Sequence, residues 1–433
     1  MKKFFVSVGL AVAGTASLQA AYAPDMADTS KMWSISGTLR GFYDNNYTTA
    51  SVQNDSYGFE ISPQIEINVP LQQTEIGARY IYGLYYYQDR ENLHQKPIDQ
   101  THQFDLWLDH AFTEQWQARV QDSFVVGQEP ELLNPGGGPT ATPFRVNGNN
   151  IANVATVTLN TDWTRLFSTL LTYQNSYYHY EQDNGTGLNP SLAGLLNRDE
   201  NDVALDFQWH ATTTTTLLVG YKFEQVSFLG DEPISPTLGV LLPTPHLVPE
   251  RFSDSRDSRS HIGYVGVQTT LLPNLSAAAN VGVQYTENYN DPQATTSFGP
   301  YVVTSLTYTY LPGCYAQIGV THTRNATVEI QQNSSNGSIA QDQESTLIYG
   351  SINHKITPKL LATLLANFQN SSYNGGAFNN ESDNLFGFGV NFNYAFTRHF
   401  SAEAGYNYDN YTSDIPGLSY SRNRVYVGVT ATY

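Results

Sequence analysis

Short and long connections alternate along the whole chain, and the segments between them switch from apolar to polar residues with a period of two. This period predicts β-strands. The short connections share one pattern: an apolar residue, then Thr or Leu-Pro, then one or two turn residues, then an apolar or aromatic residue that restarts the period. The pattern occurs in FTEQWQARV from Phe112, LLPNLSAAA from Leu271, LPGCYAQIG from Leu311, ITPKLLATL from Ile356 and FTRHFSAEA from Phe396.

The long connections are rich in Asn, Asp, Gly, Pro and Ser, the residues that favour loops. Because they alternate with the short turns, all the short turns lie at one end of the predicted sheet and all the long loops at the other. The count predicts nine hairpins and therefore about 18 strands, within limits of 16 and 20. The long connections are predicted at approximately residues 44–56, 88–100, 128–150, 182–200, 230–258, 288–297, 328–341, 372–382 and 412–420.

The first twenty residues have the composition of a secretory signal. Lys2 and Lys3 precede an apolar run and then small residues, so we expect residues 1–20 to be a signal peptide that is removed on export. Residues 21–31 then form a short N-terminal segment in the periplasm, and residues 32–433 form one β-domain. Past the signal, no segment reaches the ~18 consecutive apolar residues of a spanning helix, so any residence in a membrane requires strands.

Charge and cysteine content exclude several kinds of partner. The formal net charge of −18 argues against nucleic acid and against an anionic lipid surface as partners. Cys314 is the single cysteine, so an internal disulfide is impossible, and Cys and His do not cluster as in a zinc site. We therefore expect no metal and no cofactor.

The last ten residues, RVYVGVTATY, alternate up to an aromatic terminal residue, Tyr433. Alternation alone also fits a soluble sandwich. In a membrane, however, a sheet must close into a barrel, because an unpaired strand edge in hydrocarbon costs several kcal/mol per polar group. A last strand that pairs with the first cannot fray. Together with the signal peptide and the alternating connections, this favours a transmembrane antiparallel β-barrel over the sandwich.

The first strand, MWSISGTLRGFYDNNY, places Trp33, Ile35, Leu39 and Tyr43 on one face. This strand, with its aromatic residue followed by Asp-Asn-Asn, resembles the opening strand of the putative beta-barrel porin families of Gram-negative envelopes. The turn repeat T-x-x-aromatic-x-A is similar to theirs as well, and the resemblance extends from about Trp33 to Tyr433. It implies an outer-membrane channel without enzymatic activity, and a terminal aromatic, Tyr433, that looks like the signal read by the barrel assembly machinery. It assigns no other residue a role.

Ionisable residues on the inner faces of the predicted strands are the candidate pore lining. Carboxylates exceed cations in this set, which predicts either a weak preference for cations or merely solvated charges on a wet wall. Asp122 falls instead on the outer face, so we expect either a bulge there or a position near the outer headgroups. The candidates are Arg40, Glu60, Glu66, Glu75, Arg79, Asp105, Asp109, Arg119, Asp206, Lys222, Glu224, Glu403 and, near the last turn, Arg424.

Two long connections are candidates for a constriction. Residues 128–150 contain a Gly-rich hinge and Arg145, and residues 230–258 combine several prolines with apolar residues such as Val240. Exposed loops this apolar should fold onto something. Folding into the pore would narrow it; the alternatives are a cap over the mouth and a contact with another protein.

Barrel enzymes place catalytic groups on adjacent strands or at the loop rim. His110 and His354 instead occupy positions just before short turns, which suits amphipathic residues at a membrane interface. We therefore predict a channel for the passive diffusion of small hydrophilic solutes across the outer membrane. Its outer face would contact outer-membrane lipid, and a homotrimer is a candidate assembly. The alternative from another class is a structural barrel, or one that serves exopolysaccharide export or surface attachment.

Overall fold

The computed structural model describes residues 32–93, 96–128, 133, 143–146, 148–181, 192–230, 232–234, 251–293, 295–327 and 338–433. Within them it contains 18 strands, each antiparallel to its neighbours. The strands are β1 Trp33–Asp44, β2 Ser56–Pro70, β3 Thr74–Tyr87, β4 Ile98–Ala111, β5 Trp116–Gly127, β6 Asn150–Asp162, β7 Phe167–His179, β8 Arg198–His210, β9 Thr215–Phe228, β10 Ser258–Leu272, β11 Leu275–Glu287, β12 Thr296–Leu311, β13 Cys314–Ala326, β14 Ala340–Thr357, β15 Leu360–Gly375, β16 Ser382–Ala395, β17 Phe400–Ser413 and β18 Tyr420–Thr432.

The sheet closes on itself, because β1 pairs with β18 as well as with β2. The pairing of β1 with β18 runs from Ser36 opposite Thr432 to Asp44 opposite Arg424. Beyond it, the backbone N–H of Tyr433 donates to the carbonyl of Ile35 at 2.8 Å. Closure leaves no edge strand, so the fold predicted from the sequence, a closed antiparallel barrel of about 18 strands, is confirmed.

Three short helices lie in the long connections: 3-10 turns at Gln88–Leu93 and Ser253–Arg256, and an α-helical turn at Leu192–Leu196. Among the described residues, no helix is long and apolar enough to cross a membrane.

In several of the short connections a threonine closes the turn through its side chain. The hydroxyl of Thr113 accepts hydrogen bonds from the backbone N–H groups of Gln115 and Trp116, at 3.2 and 3.1 Å. This gives the turn its own hydrogen-bonding partner and explains why Thr recurs at this position. The same pair of bonds forms at Thr164, Thr357 and Thr397.

The outer face of the barrel is apolar. In β18, Val425, Val427 and Val429 are exposed, whereas Tyr426 between them points inward and is buried. Aromatic residues gather on the outer face near the short turns, as expected of a girdle at a membrane interface. This girdle consists of Trp33, Phe112, Trp116, Trp163, Phe167, Trp209, Tyr394, Phe396, Phe400 and Tyr433, all exposed.

Asp122 lies on this outer face, midway along β5. The register of β5 with β4 and with β6 is continuous around it, so the bulge suggested by the sequence is wrong. Its carboxylate instead accepts a hydrogen bond from the side-chain amide of Asn153 at 3.0 Å. The amide partly replaces the water that the carboxylate lacks on an apolar face.

Inner aromatic rings lie over glycines of the neighbouring strand. A Cβ atom on Gly77 would stand 1.9 Å from the ring of Trp107, whereas one on the outward-facing Gly263 would meet nothing within 4 Å. We expect Gly77→Val to destabilise the barrel by about 1–3 kcal/mol through overpacking, and Gly263→Val to have little effect. Heat-dependent unfolding followed by gel mobility would measure both; equal midpoints for the two variants would contradict this packing.

Candidate functional site: the lumen and its outer mouth

A first group of charged residues on the inner wall centres on Arg40 of β1. Its guanidinium binds Glu60 of β2 at 2.7 Å and Glu403 of β17 at 2.8 Å, and it stacks on the ring of Tyr426, with its carbon 4.7 Å from the ring centroid. Both carboxylates are buried. One cation between two acids leaves this group net negative, but its members are held by each other rather than free in the lumen.

A second group lies on β3, β4 and β5. Arg79 binds Asp105 at 2.8 Å, and Ser123 donates to the same carboxylate at 2.8 Å. Nearer the short turns, Arg119 binds Asp109 at 2.5 Å, with both side chains more than a third exposed. The inner wall is therefore wettest on the periplasmic side.

A third group lies on β8 and β9. The ammonium of Lys222 lies 2.8 Å from Asp202 and 3.1 Å from Glu224. Asp206 accepts a hydrogen bond of 2.6 Å from the hydroxyl of Tyr264 on β10. The sequence prediction missed Asp202, although it shares the alternation of Asp206 four residues later, and that signal could have identified it.

Two predicted acids have side-chain amides near their carboxylates. The side-chain amide of Asn68 donates to Glu75 at 3.1 Å, and that of Gln64 lies 3.5 Å from Glu66. Glu75 is exposed and Glu66 half-buried. The candidate pore-lining residues lie on the inner face. Five of the eight candidate acids pair with bases, which the sequence could not show: Glu60, Asp105 and Asp109 with bases on adjacent strands, Glu224 with Lys222 of its own strand and Glu403 with Arg40 two strands away.

Residues 128–150 connect β5 to β6, and their described part folds inward. Leu133 is buried against Leu365 of β15. Seven strands separate β5 from β15 in one direction around the barrel and nine in the other. The loop therefore reaches almost to the opposite wall, in agreement with the hypothesis that it folds into the pore.

Four consecutive residues of this loop, Pro143–Val146, contact every side of the mouth; we call them the hub. The carbonyl of Pro143 accepts a hydrogen bond of 2.6 Å from the hydroxyl of Tyr420, and Phe144 packs edge-on against Tyr411 at a centroid distance of 5.0 Å. Both tyrosines belong to the last two strands. The hub is thereby fixed to the β17–β18 wall.

Arg145 fixes the hub to the facing strands. Its side chain is 3% exposed, so solvent barely reaches it. The guanidinium binds Asp99 of β4 and also donates a hydrogen bond to Gln128 at 2.9 Å. Asp99 is shared with Arg90, 2.7 Å away. The sequence makes Arg145 a candidate residue of a constriction loop; in the structure its side chain is paired, almost fully buried and anchors the loop.

The other outer loops pack onto the hub. Val146 forms an apolar cluster with Leu195, Leu196, Ile234 and Ile339, which come from three different long connections. Ile234 belongs to the second constriction candidate, residues 230–258. Val240, Leu241 and Leu242 of that loop lie outside the described residues.

Buried arginines join these loops. Arg256 donates to the carbonyls of Leu195, at 3.0 Å, and Thr327, and Arg251 binds Asp291 at 3.1 Å. Burial raises the pKa of the nearby Asp257 carboxyl, although the N–H of Phe228 donates to it. These contacts could not be predicted from the sequence, since each joins segments distant along the chain.

The outer end of β13 bends inward. Pairing of β12 with β13 begins only at Val302 opposite His322, so the first residues of β12 have β11 as their paired strand. The side-chain amide of Gln284 replaces the lost partner: it accepts from the N–H of Arg324 at 3.1 Å and donates to its carbonyl at 3.2 Å. This bend brings the described ends of the β13–β14 connection into the mouth, where Thr327 accepts a hydrogen bond from Arg256 and Ile339 packs with Val146.

The two histidines considered for catalysis have partners suited to an interface. His110 shares a hydrogen bond of 2.8 Å with the hydroxyl of Thr74, and its ring contacts Phe112. His354 shares a bond of 2.8 Å with the hydroxyl of Tyr310. Both belong to the outer girdle near the short turns.

A closed barrel with an apolar outer face, an aromatic girdle and a polar inner wall defines a β-barrel protein of the Gram-negative outer membrane. Residues 246–433, which include β10 to β18, match the family model described as putative beta-barrel porin 2. The resemblance predicted from the sequence is thus confirmed over this part of the chain, and the location in the outer membrane agrees with it.

Several solved outer-membrane proteins have similar structures. The outer membrane protein opdK from Pseudomonas aeruginosa is 9% identical, with 93% of this chain and 99% of that chain covered and a TM-score of 0.46. A BenF-like porin from Pseudomonas fluorescens Pf-5 is 10% identical, with the same coverage and TM-score. OccAB2 from Acinetobacter baumannii is 10% identical, with 95% and 99% covered and a TM-score of 0.44. The fold assignment rests on the strand pairing itself. No curated protein matches the chain.

Proposed function

We propose that the protein is a passive channel for small hydrophilic solutes, narrowed by the loop of residues 128–150. The observation that carries the proposal is a closed barrel whose inner wall is polar along its whole length while a loop crosses its mouth. A barrel of this width has an aqueous lumen except where loops fill it. No cofactor is needed: lumen side chains replace part of the hydration of the solute, and the loop sets the size limit.

A weak preference for cations is part of this proposal. Arg40 lies between two acids, Lys222 lies between two acids, and the exposed carboxylate of Glu75 accepts a hydrogen bond from the side-chain amide of Asn68. Fixed negative charge in a wet lumen enriches cations. Pairing of most acids with bases is the physical reason to expect the preference to be weak.

The zero-current potential of the purified protein in a planar bilayer under a KCl gradient measures this preference. We expect the sign of cation selectivity at low salt and its loss as the Debye length falls from ~10 Å at 0.1 M to ~3 Å at 1 M. Glu75→Gln should reduce the low-salt potential, whereas Glu114→Gln, in an exposed short turn, serves as the matched control. Anion selectivity at low salt would overturn the preference.

Absence of any conductance would overturn the channel itself and favour the structural or export barrel. An adjacent set of polymer synthesis genes would then be expected. Assembly as a homotrimer stays a prediction from the sequence.

A further inference from the structure

The inner wall is divided into charged and uncharged sectors. The ionisable groups described above lie on β17, β18, β1 to β5, and β8 and β9. Over the seven adjacent strands β10 to β16, which are described completely, the inward positions within the wall carry no ionisable side chain other than tyrosine. Charges appear there at the two ends: Arg324, Asp342, Glu344 and Asp383 at the outer end, where Arg324 binds both Asp342 and Glu344, and Lys355 at the periplasmic end. We call β10 to β16 the neutral sector.

Hydroxyls and amides line the neutral sector at mid-height. Ser305 and Thr307 of β12, Gln317 and Thr321 of β13 and Thr363 of β15 are half-buried and point inward. Each of these groups both donates and accepts hydrogen bonds. Such groups can replace the hydrogen bonds that the hydroxyls of a solute make to water.

Aromatic rings interrupt the hydroxyls. Tyr264 and Tyr301 lie with ring centroids 5.5 Å apart, and the ring of Tyr349 covers Gly319. Tyr301 is half-buried, so part of its ring faces the lumen. Ring faces complement the C–H surfaces of a cyclic polyol, whereas hydroxyls and amides complement its edges.

We propose that the preferred solutes are uncharged polyhydroxylated molecules of the saccharide class. This inference rests on the proposed channel function and names its substrate class. A charged solute passing along the middle of the neutral sector meets no countercharge, and most charges of the opposite wall are already paired, as Arg40 is with Glu60 and Glu403. Losing hydration without a countercharge is costly for an ion and nearly neutral for a hydroxyl.

Flux of radiolabelled D-glucose, D-glucosamine and D-gluconate into liposomes containing the purified protein tests the proposal, because the three probes share size and differ in charge. We expect glucose to enter several-fold faster than either charged probe. Entry of glucosamine or gluconate at the rate of glucose or above would overturn the inference while leaving the channel intact. If none of the three enters and KCl carries no current, the channel function itself fails.

A double variant tests whether hydroxyls of the neutral sector speed the entry of glucose. Thr321→Val combined with Thr363→Val removes two inward hydroxyls at constant shape, and we expect glucose flux to fall about fivefold, the effect of one net hydrogen bond in the barrier, with KCl conductance unchanged. Thr304→Val, on the outer face of β12, is the matched control. An unchanged glucose flux in the double variant, with normal folding shown by gel mobility, would remove the neutral sector from the account.

Discussion

Single-channel conductance is expected to rise when Arg145 is replaced by alanine. The variant leaves the carboxylate of Asp99 with Arg90 as its remaining cationic partner and removes the bond to Gln128. Removing Arg145 breaks one of the two ion pairs of Asp99 and takes from the hub its contact with β4, which destabilises the position of the loop. The loop should therefore leave the mouth for part of the time. Planar bilayer recordings would show larger or additional conductance levels.

Arg119→Ala is the matched control for this experiment. It also removes an arginine from an ion pair on the inner wall, but its pair with Asp109 is exposed and far from the hub, so it contributes only ~0–1 kcal/mol. We expect its conductance levels to stay close to those of the native protein. If Arg145→Ala behaves like Arg119→Ala, then Arg145 does not hold the loop.

Loss of assembly is expected when Tyr433 is deleted or replaced by lysine. The N–H of Tyr433 donates to Ile35, its carbonyl accepts from the N–H of Ile35 at 3.2 Å, and its ring lies 5.7 Å from Trp33. The last residue is thus part of the seam that closes the barrel. A lysine there also removes the ring next to Trp33, while its charge in the outer girdle costs only about 0–1 kcal/mol near a membrane interface.

The amount of protein in the outer membrane reports on assembly, and the conductance of single channels reports on the pore. The two measurements therefore separate an effect on assembly from an effect on conduction. We expect the amount of folded protein in the outer membrane to fall strongly, while the channels that do form conduct normally. Tyr394→Lys is the matched control, because it changes an aromatic of the same girdle away from the seam. Normal membrane levels of the Tyr433 variants would contradict a role for the terminus in closure and in recognition by the barrel assembly machinery.

Strand number and loop positions could be predicted from the sequence because their signals are local. The period of two fixes which residues share a face, and the Thr of each turn bonds to N–H groups two and three residues later, as Thr113 does. These contacts join residues that are close in the sequence, so they do not depend on which strands face each other in the barrel. The faces assigned to Arg40, Glu60 and Glu403 followed from the same alternation.

Contacts across the lumen could not be predicted, because they depend on register and on which strands face each other. Arg40 meets Glu403 only because β1 closes against β18 and so lies two strands from β17. Arg145 carried a charge signal in the sequence, yet its burial against Asp99 follows from the path of the whole loop. The role of Gln284 could not be predicted either, because its hydrogen bonds to the backbone of Arg324 form only where β13 separates from β12.

The most direct test of a lumen narrowed by residues 128–150 is a cross-link between the loop and the far wall. In a Cys314→Ser background, Leu133→Cys with Leu365→Cys should be joined by a short bis-maleimide in intact outer membranes, because the two leucines are in contact. The control pair, Leu133→Cys with Leu218→Cys on the inner face of β9, should stay unlinked. We expect a cross-link in the first pair and, in bilayers, a conductance equal to that of the unlinked protein, since the link only fixes the existing position. Absence of the cross-link, with both cysteines reactive, would contradict the account.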